Sequence, residues 1–152
     1  MNILVHLFYT LIFARMLNLG RLDFFLAVGF GALVDLDHVV PYVKTYLKEK
    51  KINQRGYDSR WYTQEPIFFI VVIPISVVYR TWVPIIFFSL HLLLDYMMDY
   101  KKYPLYPNKK IVVRGFIKSY GILYWIITAV SVLLFIWFFS IQENLSYLLS
   151  LL

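Results

Sequence analysis

The sequence contains no cysteine, which excludes a disulfide framework, a thiolate metal site and a thiol nucleophile. Charge is also scarce. Only 16% of the 152 residues are Asp, Glu, Lys or Arg, and the runs 66–79 and 119–142 hold none of them. A water-soluble domain carries mixed charge over roughly 30% of its surface, so that class fits poorly, as do a coiled coil and a disordered chain. No phosphate-binding loop, dinucleotide fingerprint, internal repeat or low-complexity segment is found.

Apolar bulk is what the sequence does have. Hydrophobic residues make up 61% of it, aromatics make up 20%, and the mean hydropathy is +0.66, as suits a chain whose solvent is partly lipid. The pI near 9.5 would suit a polyanion. In a membrane chain, however, excess Lys and Arg report topology and contact with anionic headgroups. Membrane lipid is therefore the expected partner, and nucleic acid is not.

A helix needs about 20 residues to cross the hydrocarbon core. Five segments approach this: about Ile3 to Leu19, Phe24 to Val40, Pro66 to Tyr79, Trp82 to Tyr100 and Tyr120 to Phe139. The third is short and contains Pro74, so it is read as a span or a re-entrant segment. The first is read as a span and not a removable signal peptide, because no basic stretch precedes it and no small-x-small site follows. The expectation is an all-α, multi-pass cell-membrane protein: one domain over 1–152, a compact bundle of about five transmembrane helices. A short amphipathic helix is expected over Gln142 to Leu152.

Lys44, Lys48, Lys50, Lys51, Arg55 and Arg60 lie between the second and third segments. Lys101, Lys102, Lys109, Lys110, Arg114 and Lys118 lie between the fourth and fifth. Five spans put both groups on one face and leave Arg15, Arg21 and Arg80 for the other. The positive-inside rule then reads the N-terminus as cytoplasmic.

An ionisable group at membrane depth costs at least about 2.5–3.5 kcal/mol for Asp or Lys, so each needs a partner or a function. Threading the five spans brings His6, Asp35, Asp37, His38, Glu65, His91, Asp95 and Asp99 into the cytoplasmic half. His91 and Asp95 are four residues apart, about 40° around a helix and one turn apart in height, a spacing able to hold one cation. Asp35 and His38 also share a face, whereas Asp37 lies about 160° from Asp35 on a regular helix. Either the helix unwinds there or Asp37 has another role. Pro41 disfavours helix at Val40 and suits the first alternative.

His6, Asp35, Asp37, His38, His91 and Asp95 are the candidate metal ligands. Imidazole and carboxylate without sulfur suit Zn, Mn or Fe(II), with Mg where oxygen dominates. The number of candidates points to two ions, or to one ion with acidic outer partners and a general base. Helix capping at Asp37 and an ordinary interfacial role for Asp99 are the competing local readings.

The run Gly31-Ala32-Leu33-Val34-Asp35-Leu36-Asp37-His38, the early His6, and His91-Leu92-Leu93-Leu94-Asp95 followed by Tyr106-Pro107 resemble the YdjM-like family of membrane-bound metal-dependent hydrolases. The resemblance runs in order from His6 to Pro107. It implies a small helical membrane unit with a metal site. Val34 stands where the family has Pro, and in Arg60 to Pro66 Gln64 takes the place of a motif His, with Glu65 next. A ligand at that position is then lost, replaced by Glu65, or lost together with activity.

The reading that follows is a metal-dependent hydrolase at the cytoplasmic membrane face, acting on a lipid-linked or phosphoryl substrate. Glu65 or Asp37 would be the general base. Arg55, Arg60, Lys109 and Arg114 would hold an anionic headgroup, unless they are simply positive-inside charge. One alternative is a non-catalytic membrane subunit with a structural metal or buried polar network. An ion or proton pathway is disfavoured because the polar groups stop halfway across.

Overall fold

The computed structural model describes residues 3–38, 47, 62–108, 110–118, 120–140 and 142–152. Among them are six α-helices and no β-strand: α1 (Ile3–Met16), α2 (Arg21–Gly31), α3 (Phe69–Tyr79), α4 (Val83–Tyr96), α5 (Ile122–Phe139) and α6 (Gln142–Leu151). Short 3₁₀ turns occupy Leu33–His38, Tyr62–Gln64 and Pro66–Phe68. One described helix, α5, is long and apolar enough to cross a membrane; Ile3–Met16, Pro66–Tyr79 and Val83–Tyr96 are apolar but shorter.

The helix ends have local causes. After α1 the chain reverses through Asn18 in the left-handed region at φ 49°. The Asn18 and Leu19 amides return to the Arg15 and Ala14 carbonyls at 3.0 and 3.1 Å, the paired bonds of a Schellman ending. Arg80, at φ 52°, ends α3 in the same way, with the Arg80 and Thr81 amides bonded to Val77 and Ser76. Pro84 then falls in the first turn of α4, where its missing N–H costs nothing.

The second segment departs from a regular helix sooner than its apolar run suggests. The Ala32 amide still reaches back four residues to Val28, but the Asp35 amide reaches back only three, to Ala32. From Leu33 to His38 the chain is therefore a 3₁₀ turn, so the unwinding alternative is the one adopted.

Among the described residues the bundle core has two parts. Ala14, Phe24, Ala27, Val83, Phe87 and Leu151 bury one cluster where α1, α2, α4 and α6 meet. Val72, Phe88 and Leu92 form the other between α3 and α4, covered by Phe30, Val34, Phe68 and Phe69. α5 lies against α1, with Phe8 and Phe135 stacked at 4.7 Å.

α6 closes the end of the bundle where α1 turns into α2. The Tyr147 hydroxyl donates to the Leu19 carbonyl at 2.6 Å, the Arg15 guanidinium lies 4.7 Å over its ring, and Arg21 donates to the Leu152 carbonyl. Burial raises the Tyr147 phenol above its ordinary value against the opposing pull of Arg15, so it stays a neutral donor. Tyr147→Phe is expected to cost about 1 kcal/mol, the worth of one such bond, without changing metal content. Thermal unfolding in detergent beside a metal assay checks both halves of that expectation.

Candidate metal centre

Three parts of the fold converge at the start of α1. His6 lies in its first turns, Asp35 in the 3₁₀ turn after α2, and His91 and Asp95 one turn apart on α4. All four side chains are buried, none more than 6% exposed. One potential ligand atom from each lies within 4.8 Å of the others.

The spacing of the donors suits a single ion. His6 Nε2 is 3.2 Å from Asp95 Oδ1 and 3.5 Å from Asp35 Oδ2. His91 Nε2 is 3.7 Å from Asp35 Oδ1 and 3.9 Å from Asp95 Oδ2. Donors about 2.1 Å from a tetrahedral ion stand about 3.4 Å from one another. Two carboxylates and two neutral imidazoles also sum to the charge that a divalent cation balances.

The orientation of His91 is a further test of fit. Its Nδ1 lies 3.1 Å from the Gly31 carbonyl, so the proton sits on Nδ1 and the Nε2 lone pair faces the cluster. Nε2 is buried and has no hydrogen-bond partner. A ring nitrogen tied to a backbone carbonyl while the other points at a gap between carboxylates is the usual arrangement of a metal-ligating histidine. His6 stacks on His91, ring centroids 4.2 Å apart, and its Nδ1 is buried without a hydrogen-bond partner. The described donors therefore fit a divalent metal, and the cluster can hold one.

Gly31 makes the approach of these elements possible. A Cβ there would overlap the Thr10 hydroxyl of α1 and lie 3.3 Å from the Phe87 ring of α4. Its absence lets α1, α2 and α4 meet at the level of the four ligands.

Gln64 and Glu65 form the outer wall. The Gln64 amide donates to Asp35 Oδ1 at 2.9 Å and is itself 1% exposed. Glu65 lies outside the four-residue cluster and is buried. Its Oε2 accepts the Tyr96 hydroxyl at 3.1 Å and its Oε1 accepts the Tyr103 amide at 2.8 Å. Gln64→Leu is expected to cost about 1.5–3 kcal/mol, because a hydrogen bond to a buried charged group is lost. Unfolding of the purified variant, set against Gln64→Glu, would check this; an unchanged midpoint would remove the amide from the account.

Not every expected ligand is brought to this point. Asp37 and His38 end the 3₁₀ turn, but their side chains lie outside the described part of the structure. Arg55, Arg60 and Lys109, expected to bind an anionic headgroup, are outside the described residues. Arg114 is exposed and pairs with Asp99 at 3.9 Å. By sequence Gln64 stands out only as a departure from a motif; its bond to Asp35 leaves no mark there. The role of the Gly31 carbonyl is equally hidden, because a backbone acceptor leaves no trace in residue type.

Comparison of the chain with family models, curated proteins and solved structures gives no match.

Proposed function

We propose that the chain is a multi-pass membrane protein that uses one divalent metal, held by His6, Asp35, His91 and Asp95, to hydrolyse a lipid-linked or phosphoryl substrate at the cytoplasmic half of the bilayer. One observation carries the reading: two imidazoles and two carboxylates meet in a buried cluster of a chain that has few charged groups to bury. Such a group is costly unless it is paired or coordinates an ion.

The membrane setting draws support from α5, of which only 11% is buried within the protein. The core helix of a soluble domain would be mostly buried. Ile70, Val77, Val78, Ile86 and Leu93 on α3 and α4 are likewise exposed. In the proposed topology all five apolar segments span or enter the bilayer. The ligand-bearing ends of α1, the α2 turn and α4 then share one face, and the basic loops make that face cytoplasmic.

A divalent ion held here would polarise an oxygen of the scissile group and acidify a bound water. The two imidazoles favour Zn, Mn or Fe(II) over Mg. Gly31 fixes the His91 tautomer, and Gln64 fixes one oxygen of Asp35, leaving the other for the ion. Glu65, engaged at both oxygens, serves in this proposal as a positioning residue that holds the 62–65 turn. Kinship with the YdjM-like hydrolases belongs to the same proposal, with Gln64 acting as a donor to Asp35 in place of the motif His.

The same burial favours a second reading, a non-catalytic subunit with a structural metal. Four enclosed ligands are the pattern of a closed Zn site, whereas catalytic sites keep a position open. The test is elemental analysis of detergent-purified protein, followed by a screen of phospholipids and phosphate esters with and without chelator. One equivalent of a transition metal with chelator-sensitive turnover is the expected result. Bound metal whose removal unfolds the chain, without turnover, would favour the structural reading. A metal-free protein from metal-replete preparation would overturn both.

A further inference from the structure

α4 is followed by two arms, 97–108 and 110–118, that fold back on its C-terminal end. Their inner side is tightly held. The Asp99 amide bonds to the Ile117 carbonyl at 2.8 Å, the Ile117 amide to Met97 at 2.9 Å, and Lys102 and Val113 exchange two backbone bonds at 3.0 Å. Met98 and Ile117 are buried, and a Cβ on Gly115 would collide with the Tyr96 and Met97 carbonyls. Lys102 is buried too. Its ammonium donates to the Tyr96 and Met98 carbonyls, where the negative end of the α4 dipole falls.

The outer side has a different character. Leu105, Ile111, Val112 and Phe116 are exposed, Phe116 at 71%. The same arms carry the exposed cations Lys101, Lys110, Arg114 and Lys118. The single carboxylate on these arms, Asp99, faces Arg114. The exposed side chains of these arms are thus both apolar and cationic, on a backbone held by internal hydrogen bonds.

We propose that this surface is a seat on the anionic leaflet: Phe116, Ile111 and Val112 enter the acyl boundary while Lys101, Lys110, Arg114 and Lys118 meet lipid phosphates. The proposal rests on the multi-pass reading above. A nucleic acid or an acidic protein would match the cations but leave the apolar side chains in water. A neutral bilayer would take the apolar side chains and leave the cations uncompensated. An anionic lipid satisfies both. The Tyr103 amide on the same arm bonds to Glu65, the neighbour of Gln64, which holds Asp35. The arm is thereby tied to the wall of the candidate metal centre.

The absence of cysteine gives a direct test. Phe116→Cys and, in the middle of α5, Val130→Cys each create one nitroxide attachment point in the full chain. Both would be studied in bilayers of equal parts phosphatidylcholine and phosphatidylglycerol. Collision with oxygen against a water-soluble nickel chelate reads the depth. Oxygen should dominate at both positions. Spin-labelled phosphatidylglycerol should associate with the protein in preference to phosphatidylcholine. Lys101→Gln and Lys110→Gln should each cut that preference by about fivefold, and added salt should weaken it. Nickel access at 116 with oxygen at 130 would overturn the seat and spare the spanning reading. Nickel access at both would overturn both. Shielding of 116 from both reagents would mean a protein covers this face, and equal association of the two lipids would remove the anionic partner. Either result overturns the proposal.

Discussion

Asp95→Ala is expected to leave the purified protein without stoichiometric transition metal and to destabilise it by about 3–5 kcal/mol, the cost of removing one partner from a buried charged group. Asp95 faces both histidines, with Oδ1 toward His6 and Oδ2 toward His91, as Asp35 also does, so its loss strips a shared partner from both rings. Loss even of an outer-shell partner costs a metal site about 10–100-fold in affinity; loss of a direct ligand should exceed that. Asp95→Asn separates shape from charge: it keeps a carbonyl oxygen and fills the space, yet removes one of the two negative charges that balance the ion. Elemental analysis and a competition titration with a chromogenic chelator would read both variants. Full metal occupancy in Asp95→Ala would sink the assignment.

Gly31→Ala should lower both stability and metal binding. The added methyl group overlaps the Thr10 hydroxyl and presses on Phe87, and overpacking of a fitted contact costs about 1–3 kcal/mol. The consequence is not confined to stability. The Gly31 carbonyl orients His91, so displacing α2 from α1 should also weaken metal binding. Thr10→Ala, added to Gly31→Ala, reopens the space and should restore most of both quantities. A double-mutant cycle measures that coupling; strict additivity would show that the crowding is not at Thr10.

Spacing made part of the site legible. His91 and Asp95 announced themselves by four-residue spacing on an apolar helix, and Asp35 by its place at the end of an apolar run. His6 needed the threading argument, since an isolated histidine near a helix start carries no pattern. The tie from Gln64 to Asp35 crosses 29 residues, and a contact between a turn and a distant helix end has no period to reveal it. The unwinding of the second segment was legible in the Asp35–Asp37 angle and in Pro41, but not its start directly after Gly31, because Leu33, Val34 and Leu36 continue the apolar run while the hydrogen bonds tighten. The C-terminal helix was legible as a helix. Its seat on the α1–α2 turn was not, because Tyr147 reaches backbone carbonyls, which every sequence has.

The order of the ligands along the chain has a consequence for how such a protein is made. His6 leaves the ribosome 89 residues before Asp95, and α4, which supplies half of the donors, comes after α1, α2 and α3. In the proposed bilayer setting, the first two segments enter the membrane carrying His6 and Asp35 with neither His91 nor Asp95 to meet them. Each is therefore a reluctant insert when alone, and α1 and α2, at 14 and 11 residues, have little apolar length to offset that cost. Insertion is then a collective act in which the early helices wait at the translocon or interface until α4 arrives. A metal held by these four ligands would load only after the last of them is in place.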